Sequence, residues 1–183
     1  MAAPTIDDVD TYTAGRLTDT RTEMLLDAVI AAARKYCGWH VTGEQTDTIT
    51  VDGTGGQVLL LPTLRLVDVL AVTEDDLDLD LDLIDWSARG VLTKHHSRWT
   101  RRYRGVTATI VHGFADAPDW NAAILSAVDR TSMGVAAKLV AGPYQYFAEP
   151  PVTGSMFSVA EKAVLDEYRL EPGTGGAQIV SGS

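Results

Sequence analysis

The spacing of apolar residues changes twice along this chain, and these two changes constrain the fold more than any single motif. Between residues 19 and 37 apolar side chains recur at helical spacing, as at Met24, Ala28 and Val29. Between residues 44 and 113 the spacing shortens to the alternation of β-strands, and after Pro118 the helical spacing returns. A β-rich segment between two helical segments indicates an α+β fold, in which the short strands form a small antiparallel sheet or barrel-like unit.

Capping signals predict where the helices begin and end. Thr5 is expected to cap a short first helix, and Gly38 to end the second one. Asp119 is expected to cap a third helix that runs to about residue 140. Ser158 and Glu161 have the spacing of a capping box, which predicts a last helix ending near residue 168.

The β-rich segment is expected to contain five or six short strands. Two of them should close a hairpin across the Gly-rich turn 52–56, and the last two should pair through the Arg-rich stretch that follows residue 97. The predicted strands are 46–51, 57–61, 67–73, 90–94 and 106–112.

Residues 75–85 alternate aspartate with leucine. The alternation predicts an edge strand with its aspartates in solvent and Leu77, Leu79, Leu81 and Leu83 on a buried face. A calcium-binding EF-hand loop starting at Asp76 is excluded, because it would need glycine at position 81 and glutamate at position 87.

Composition narrows the possible functions. The chain has 183 residues, which suits a single domain, and its net charge of −10 disfavours nucleic-acid binding. Its single cysteine, Cys37, excludes an internal disulfide and a metal site with four thiolate ligands. Its apolar runs are too short to span a bilayer, so no membrane partner is expected.

One basic cluster stands out against this acidic background. It contains Arg98, Arg101, Arg102 and Arg104, interleaved with Trp99 and Tyr103. Two interpretations stay open: a phosphate-binding patch, or a solvated chain reversal with aromatic side chains packed nearby.

A search for catalytic patterns gives no candidate. The glycines at 53–56 lie between two strands and match neither phosphate-loop pattern. The four histidines show no metal-binding spacing, and a site built across strands with His112 has no support in the pattern. Cys37 is interpreted as a small buried residue, although His40 is close enough in sequence to be considered as a base. We therefore expect no enzyme activity, no cofactor and no metal.

The segment 142–155 is expected to be an extended arm with little regular structure. It is too apolar for a simple linker, and aromatic residues on an irregular segment are typical of interfaces. The alternative is that the arm wraps its own domain. Residues 171–183 are rich in Gly and Ser and are expected to form a flexible tail.

Several stretches together resemble the head-to-tail connector, or adaptor, proteins of long-tailed bacteriophages, in particular those of actinobacterial phages. The resemblance covers residues 7–170, and the Asp/Leu alternation departs from the family's pattern. The matching stretches are 9–17 (VDTYTAGRL), 35–41 (KYCGWHV), 59–66 (LLLPTLRL), 111–114 (VHGF), 117–118 (AP), 142–144 (GPY) and 157–158 (FS), with Glu161, Leu165, Tyr168 and Arg169.

This resemblance implies a structural protein of the virion neck, assembled in the host cytoplasm. It implies one connector domain over residues 1–170, with a helical bundle core and an inserted small antiparallel β unit. The helical parts are expected at 5–38 and 119–141, the β insertion at 44–113, and a C-terminal arm plus helix at 142–170. It also implies a ring of twelve subunits beneath the portal protein, through which DNA passes without specific binding, and which docks the next neck or tail protein. The residues expected to contact the portal or a neighbouring subunit are Tyr144, Tyr146, Phe147, Met156, Phe157, Tyr168 and Arg169.

Two other functions stay open. The chain could be a different neck or tail-completion protein, such as a stopper or terminator, and these are mostly β. It could also be a DNA-packaging accessory protein, which would depend on the Arg98–Arg104 cluster.

Overall fold

The computed structural model of the chain describes residues 3–17, 20–134, 138–141, 144–147, 156–170 and 178–180. These residues contain four α-helices and antiparallel sheets, which confirms the α+β class. They divide into two compact units. A helical unit comprises Ala3–Cys37 and Ala117–Glu167, and a β unit comprises Gly38–Asp116 and Tyr168–Ser183.

The elements follow one another along the chain as helices, then strands, then helices with one hairpin. The helices are α1 (Ile6–Tyr12), α2 (Thr20–Cys37), α3 (Pro118–Gly134) and α4 (Val159–Asp166). The strands are β1 (Gln45–Val51), β2 (Val58–Leu60), β3 (Leu66–Glu74), β4 (Leu77–Asp78), β5 (Ile84–Trp86), β6 (Val91–Lys94), β7 (Val106–His112), β8 (Lys138–Ala141), β9 (Tyr144–Phe147) and β10 (Gln178–Val180).

Both predicted capping boxes are present. The Thr5 hydroxyl accepts a hydrogen bond from the Asp8 amide, and the Asp8 carboxylate accepts one from the Thr5 amide at 2.8 Å. Ser158 and Glu161 make the same reciprocal pair at the start of α4. These bonds satisfy amides that a helix N-terminus otherwise leaves without partners, so they set where α1 and α4 begin.

The buried stripe of α2 differs from the predicted one. Val29 is buried as predicted, but Leu26, Ile30 and Ala33 complete the buried stripe, whereas the predicted Met24 is 70% exposed and Ala28 is exposed. The helical period was predicted correctly, but its phase was shifted, because both stripes keep helical spacing and only packing selects one.

The helix that begins near Asp119 ends earlier than predicted. It stops at Gly134, a residue disfavoured in helix interiors, and residues 138–141 form β8 instead. β8 pairs antiparallel with β9 over Lys138↔Phe147 to Ala141↔Tyr144. Part of the predicted irregular arm is therefore a β-hairpin, and residues 148–155 lie outside the described residues.

Strand β7 is the centre of the β unit. The largest sheet has the order β10-β1-β7-β3-β4, and β7 pairs with β1 and with β3 along its whole length. On one face, threonines of β1 and β7 lie opposite each other, with Thr48 and Thr109 hydroxyls 3.1 Å apart. The other face is buried, so the alternation of each strand separates core from solvent. The core it joins contains Ile49, Val51, Leu59, Leu61, Leu66, Val69, Val72, Ile84, Leu92, Trp99, Val106, Ala108 and Ile110.

Both predicted hairpin pairings in the β unit are wrong. β1 pairs with β7 and β10, whereas β2 pairs with β6, which also pairs with β5 in a separate three-stranded sheet. The Gly-rich turn 52–56 therefore carries the chain from one sheet to the other. Turn residues indicate that the chain reverses direction, but they do not determine which strands pair. The pairing depends on which apolar strand faces are buried together.

The Asp/Leu segment is an edge element, although its geometry differs from the prediction. β4 is the edge strand of the large sheet but has only two residues, and a 3-10 turn over Leu81–Leu83 breaks the alternation. Leu79 and Leu81 pack on the core, whereas Leu77 is 70% exposed and Leu83 is 55% exposed. The Asp80 side chain accepts a hydrogen bond from the Asp82 amide at 3.1 Å, which favours the turn over a continued strand.

The end of the chain contributes a strand that the sequence did not predict. Within the expected flexible tail 171–183, residues 178–180 form β10 and pair with β1 over Thr48↔Val180 to Thr50↔Gln178. The remaining residues of that segment lie outside the described residues.

The carboxylate of Glu161 joins α4 to α3. Arg130 on α3 donates from Nη2 to Glu161 Oε2 at 2.7 Å, and the Ser126 hydroxyl donates to Oε1 at 3.0 Å. Burial alone would raise the pKa of Glu161, but the hydrogen bonds from Arg130, Ser158 and Ser126 together outweigh it and hold the pKa below its ordinary 4.5. The ionised carboxylate therefore stabilises the folded helical unit at neutral pH.

We expect Glu161→Gln to lower the free energy of unfolding by about 1–2 kcal/mol at neutral pH, because glutamine keeps the capping bond but loses the charge that pairs with Arg130. The carboxylate contributes stability above its ordinary pKa of 4.5, and this contribution is lost as pH falls through the lower folded pKa. The difference from wild type should therefore shrink below that pH. Urea unfolding followed by circular dichroism measures it.

Glu167→Gln is the matched control, because Glu167 is an exposed carboxylate at the end of the same helix. It should change the free energy of unfolding by less than about 0.5 kcal/mol. A difference between wild type and Glu161→Gln that stays constant as the pH falls would contradict the ion-pair assignment.

Candidate functional site

The residues predicted to form an interface fall into two groups. Tyr144, Tyr146 and Phe147 lie on β9, whose backbone is described and whose side chains lie outside the description. In the helical unit, Met156 is half-buried and Phe157 is 6% exposed. Phe157 is therefore buried within the chain.

The other two predicted interface residues belong to the β unit. The Tyr168 ring contacts Phe114 edge-on with 5.3 Å between centroids, and its carbonyl accepts a hydrogen bond from Trp39 Nε1 at 2.7 Å. Arg169 is exposed. Tyr168 thus anchors the chain to the β unit, and its interface role stays a prediction together with those of the other residues.

The Arg-rich loop between β6 and β7 is solvated and held at its base. Arg98, Arg101, Arg102 and Arg104 are all exposed, and Tyr103 is 82% exposed. At the base, Lys94 Nζ donates to Glu74 Oε2 at 2.6 Å and lies 4.5 Å from the Trp99 ring centroid. The second Glu74 oxygen accepts a hydrogen bond from the Thr100 amide at 2.7 Å. A buried ion pair and a buried indole therefore position a loop that presents cations to solvent.

The Gly-rich turn does not offer its amides to a phosphate. The Gly53 amide donates to the Arg102 carbonyl and the Gly55 amide to the Thr100 carbonyl, both at 3.0 Å. A Cβ at Gly55 would lie 2.6 Å from Arg101 Cγ, so glycine is required by close approach to the Arg-rich loop. The turn packs against that loop and links two sheets, so it is structural, although it does not close the hairpin that was predicted.

A polar cluster of His40, Asp47 and His112 lies at one end of the buried face of the large sheet. His112 follows Val106, Ala108 and Ile110 on the buried face of β7 and is 0% exposed. Asp47 lies on the buried face of β1 and is 8% exposed. His112 Nε2 and Asp47 Oδ2 are 2.9 Å apart. Two strands that pair antiparallel therefore place an imidazole and a carboxylate together inside the β unit.

His40 reaches this pair from the segment 38–43, which has strained backbone. Val41 has φ of 64°, a region that β-branched residues rarely adopt. The segment is held by hydrogen bonds from the Phe114 amide to the Val41 carbonyl at 2.8 Å and from the Gly43 amide to the Phe114 carbonyl at 3.1 Å. These bonds hold the His40 ring edge to face with the His112 ring, with 4.4 Å between the ring centroids. Strain of this kind persists only where surrounding contacts enforce it.

Hydrogen bonding assigns the tautomers of both imidazoles. His40 Nε2 is 3.1 Å from the Gly43 carbonyl oxygen and 3.2 Å from the His112 carbonyl oxygen, and carbonyls only accept, so Nε2 carries the proton. His112 Nε2 faces the Asp47 carboxylate and carries its proton for the same reason. In each ring Nδ1 is then a lone-pair acceptor. Both Nδ1 atoms are buried and have no hydrogen-bond partner among the described residues.

The surroundings of the cluster lower the pKa values of both histidines, which keeps both rings neutral. Burial lowers the pKa of His40 below its ordinary value, and the neighbouring His112 lowers it further. Burial also lowers the pKa of His112, although its hydrogen bond to Asp47 acts in the opposite direction. Burial would raise the pKa of Asp47, but hydrogen bonds from Gln45 and His112 together outweigh it, so that pKa is lowered. The cluster therefore contains a buried carboxylate and two neutral imidazoles.

The sequence analysis did not find this cluster. The signal was present in the strand alternation, since Asp47 shares a face with Ile49 and Val51, and His112 shares one with Ile110. A carboxylate on one apolar strand face and a histidine on another indicate partners only if the two strands pair, and that pairing was not predicted. Cys37, considered as a nucleophile beside His40, is buried in the helical unit, where its Sγ is 3.6 Å from the Leu165 carbonyl oxygen.

None of the helices in the described part of the chain combines the length and the apolar character that a bilayer crossing requires.

Chains of similar fold occur in solved structures of gene transfer agent (GTA) particles. A chain in the neck of a native GTA particle computed with C12 symmetry has a TM-score of 0.59 at 12% sequence identity, with 94% of each chain covered. A chain in the neck of an empty GTA particle computed with C6 symmetry has a TM-score of 0.62 at 12% identity, with 93% of this chain and 91% of that chain covered. A chain in the virion of a native GTA particle gives 0.60 at 13% identity, with 94% of each covered.

At these identities the likeness establishes a shared fold. No protein-family model matches the sequence, and no curated protein matches it.

We expect Gly113→Ala to lower the free energy of unfolding by about 3 kcal/mol or more, because it combines backbone strain with a collision. Gly113 has φ of 117°, and a Cβ there would lie 2.6 Å from His40 Nε2 and would also overlap the Gly43 carbonyl oxygen. Urea unfolding measures the decrease in the free energy of unfolding. Near-UV circular dichroism, to which Trp39 contributes, reports on displacement of the cluster.

Gly43→Ala is the matched control. Gly43 also has positive φ, 85°, but a Cβ there would meet no atom within 4 Å. This substitution should cost only the backbone strain, about 1–2 kcal/mol. Equal losses for the two variants would show that the His40 segment moves aside freely, contrary to the packing described.

Proposed function

We propose that this chain is a head-to-tail adaptor of a phage-like particle. In this role twelve copies form a ring beneath the portal, extend the channel for DNA, and dock the next neck or tail protein. The protein would act in the virion neck and assemble in the host cytoplasm. The role requires contacts and no chemistry.

The observation that carries this proposal is the likeness to neck chains over nearly the whole length of both proteins. The likeness extends over 94% of each chain, so it includes both the helical and the β parts of this protein. The helical content also favours an adaptor over a stopper or terminator. Stoppers and terminators are mostly β, whereas this chain has two long helices, α2 with 18 residues and α3 with 17. The neighbour computed with C12 symmetry favours a ring of twelve copies.

The charge of the chain suits a channel through which DNA slides. The net charge is −10, so a ring of twelve would carry on the order of −120. Part of this charge is concentrated on one exposed segment, where Asp75, Asp76, Asp78, Asp80, Asp82 and Asp85 are all exposed. Acidic walls would repel the DNA backbone at short range and so prevent the channel from holding its cargo.

The C-terminal part of the chain is proposed to make the portal contact. Its aromatic residues Tyr144, Tyr146 and Phe147 lie on β9, and Arg169 is exposed beyond α4. Truncation after Gly142 is not a clean test of this contact. It would remove α4, whose Leu165 is 0% exposed and whose Glu161 pairs with Arg130. Substitutions on β9 leave those contacts in place.

We expect the double variant Tyr144→Ser and Tyr146→Ser to bind the portal protein encoded beside this chain at least about tenfold more weakly than wild type, because aromatic anchors dominate interface energetics. Biolayer interferometry with immobilised portal measures the affinity, and circular dichroism checks that the variant folds.

Tyr12→Ser is the matched control. Tyr12 is 50% exposed on α1, so its loss should leave both the fold and the portal affinity unchanged. Undiminished binding by the double variant would refute the β9 contact. If wild type does not bind a well-formed portal at all, the adaptor function itself is wrong.

A DNA-packaging accessory role is the second candidate, and the exposed Arg-rich loop favours it. Four exposed arginines with an 82% exposed tyrosine form a surface that could contact phosphates and bases. The same loop is partly neutralised, because Arg102 Nη1 is 3.8 Å from a carboxylate oxygen of both Asp75 and Asp76. Salt-dependent DNA affinity without portal binding would support this candidate over the adaptor.

A further inference from the structure

We propose that His40 and His112 bind one divalent transition-metal ion through their Nδ1 atoms, with Zn²⁺ as the best match, and that Asp47 supports His112 from the opposite ring nitrogen. The site lies wholly within the β unit and is independent of the neck function proposed above. Each residue contributes one potential ligand atom, all three atoms lie within 4.8 Å of one another, and all three residues are buried. Imidazole nitrogens are common Zn²⁺ ligands, and a carboxylate on the second nitrogen of such a ring is a typical supporting group.

The two unpartnered nitrogens are the independent observation that points to a ligand. His40 Nδ1 and His112 Nδ1 are buried lone-pair acceptors without a hydrogen-bond donor among the described residues. Thr42 Oγ1, two residues from His40, is buried without a partner as well. Buried polar atoms are nearly always satisfied, so three such atoms around one cluster indicate a missing partner. An ion that accepts electron pairs would satisfy imidazole nitrogens directly.

The hydrogen bonds already made by the other nitrogens match those of metal-ligating histidines. Such histidines usually donate their second N–H to a backbone carbonyl or a carboxylate, which fixes ring orientation and raises ligand basicity. His40 Nε2 has the Gly43 and His112 carbonyls, and His112 Nε2 has Asp47. Asp47 is itself held by Gln45 Nε2 at 2.7 Å. The supporting contacts of a metal site are therefore present, and Asp47 provides the negative charge that a buried cation requires.

The strained backbone gives the ion a structural role. Val41 at φ 64° and Gly43 at φ 85° fold the segment 38–43 so that His40 faces β7. An ion bound by His40 and by His112 of β7 would tie this segment to that strand, and Asp47 of β1 would hold the His112 ring in place. Because the ion binds the folded state alone, it would raise stability in proportion to the logarithm of its concentration.

The experiment uses the full chain with His95 and His96 replaced by alanine and with no affinity tag. These two exposed histidines have ring centroids 5.9 Å apart, and His95 Nε2 lies 3.4 Å from Asp85, so they could chelate metal by themselves. Their removal leaves His40 and His112 as the only histidines among the four of the sequence. The protein is stripped with EDTA and refolded with Co²⁺, so that burial does not block entry.

We expect one equivalent of Co²⁺ per chain, with visible absorption bands of a nitrogen- and oxygen-ligated ion, displaced by one equivalent of Zn²⁺. Zn²⁺ should also raise the melting temperature. His40→Gln and Asp47→Asn, made in the same background, should each weaken binding by about tenfold or more. Both substitutions keep side-chain size and some hydrogen bonding.

Two results would overturn the site. One is the absence of stoichiometric Co²⁺ or Zn²⁺ binding by the variant that lacks His95 and His96, which would make the cluster a hydrogen-bonded structural element only. The other is unchanged binding in folded His40→Gln and Asp47→Asn proteins. If those variants fail to fold, the test rests on the protein that lacks only His95 and His96. Its Co²⁺ stoichiometry and its Co²⁺ absorption spectrum then show whether the site exists.

Discussion

Strand β7 is the element on which the β unit depends. It lies between β1 and β3 and pairs with both over its full length. Its buried face contributes Val106, Ala108 and Ile110 to the core, and it ends in His112, which anchors the polar cluster. The chain then leaves through Gly113 and Phe114, whose backbone holds the strained segment around Val41. A single strand thus organises the sheet, the core and the cluster.

Most elements of the fold could be predicted from the sequence, because their signals are local. Thr5 and Ser158 cap helices through hydrogen bonds to residues three positions away, and such contacts need no knowledge of the rest of the chain. Strand pairing could not be predicted in the same way. Thr50 and Thr107 face each other across 57 residues, and no turn signal records a partner at that separation. The pairing depends on which apolar faces meet in the core.

The same limit explains why the candidate metal site was missed and the interface residues stayed predictions. Asp47 and His112 become neighbours only through the β1–β7 pairing, so neither residue type nor local spacing could reveal them. The helix beyond Gly134 was predicted too long for a related reason. Residues 138–141 suit either structure, and the antiparallel partner at 144–147 decides in favour of a strand.

The likeness to neck chains at 12% identity shows what the fold requires. Most side chains differ at this identity, so the fold does not depend on one particular set of side chains. The edge of the large sheet tolerates an unusual Asp/Leu segment, because β4 pairs over only two residues there. Sheet edges and loops also tend to carry binding residues, because their sequences can vary without disturbing the packing of the core.

The adaptor role is tested most directly by electron cryo-microscopy of this protein mixed with the portal encoded beside it. A ring of this chain capping one end of the portal, with the β8–β9 hairpin or α4 at the contact, is the predicted result. A well-formed portal with no bound ring would contradict the adaptor function.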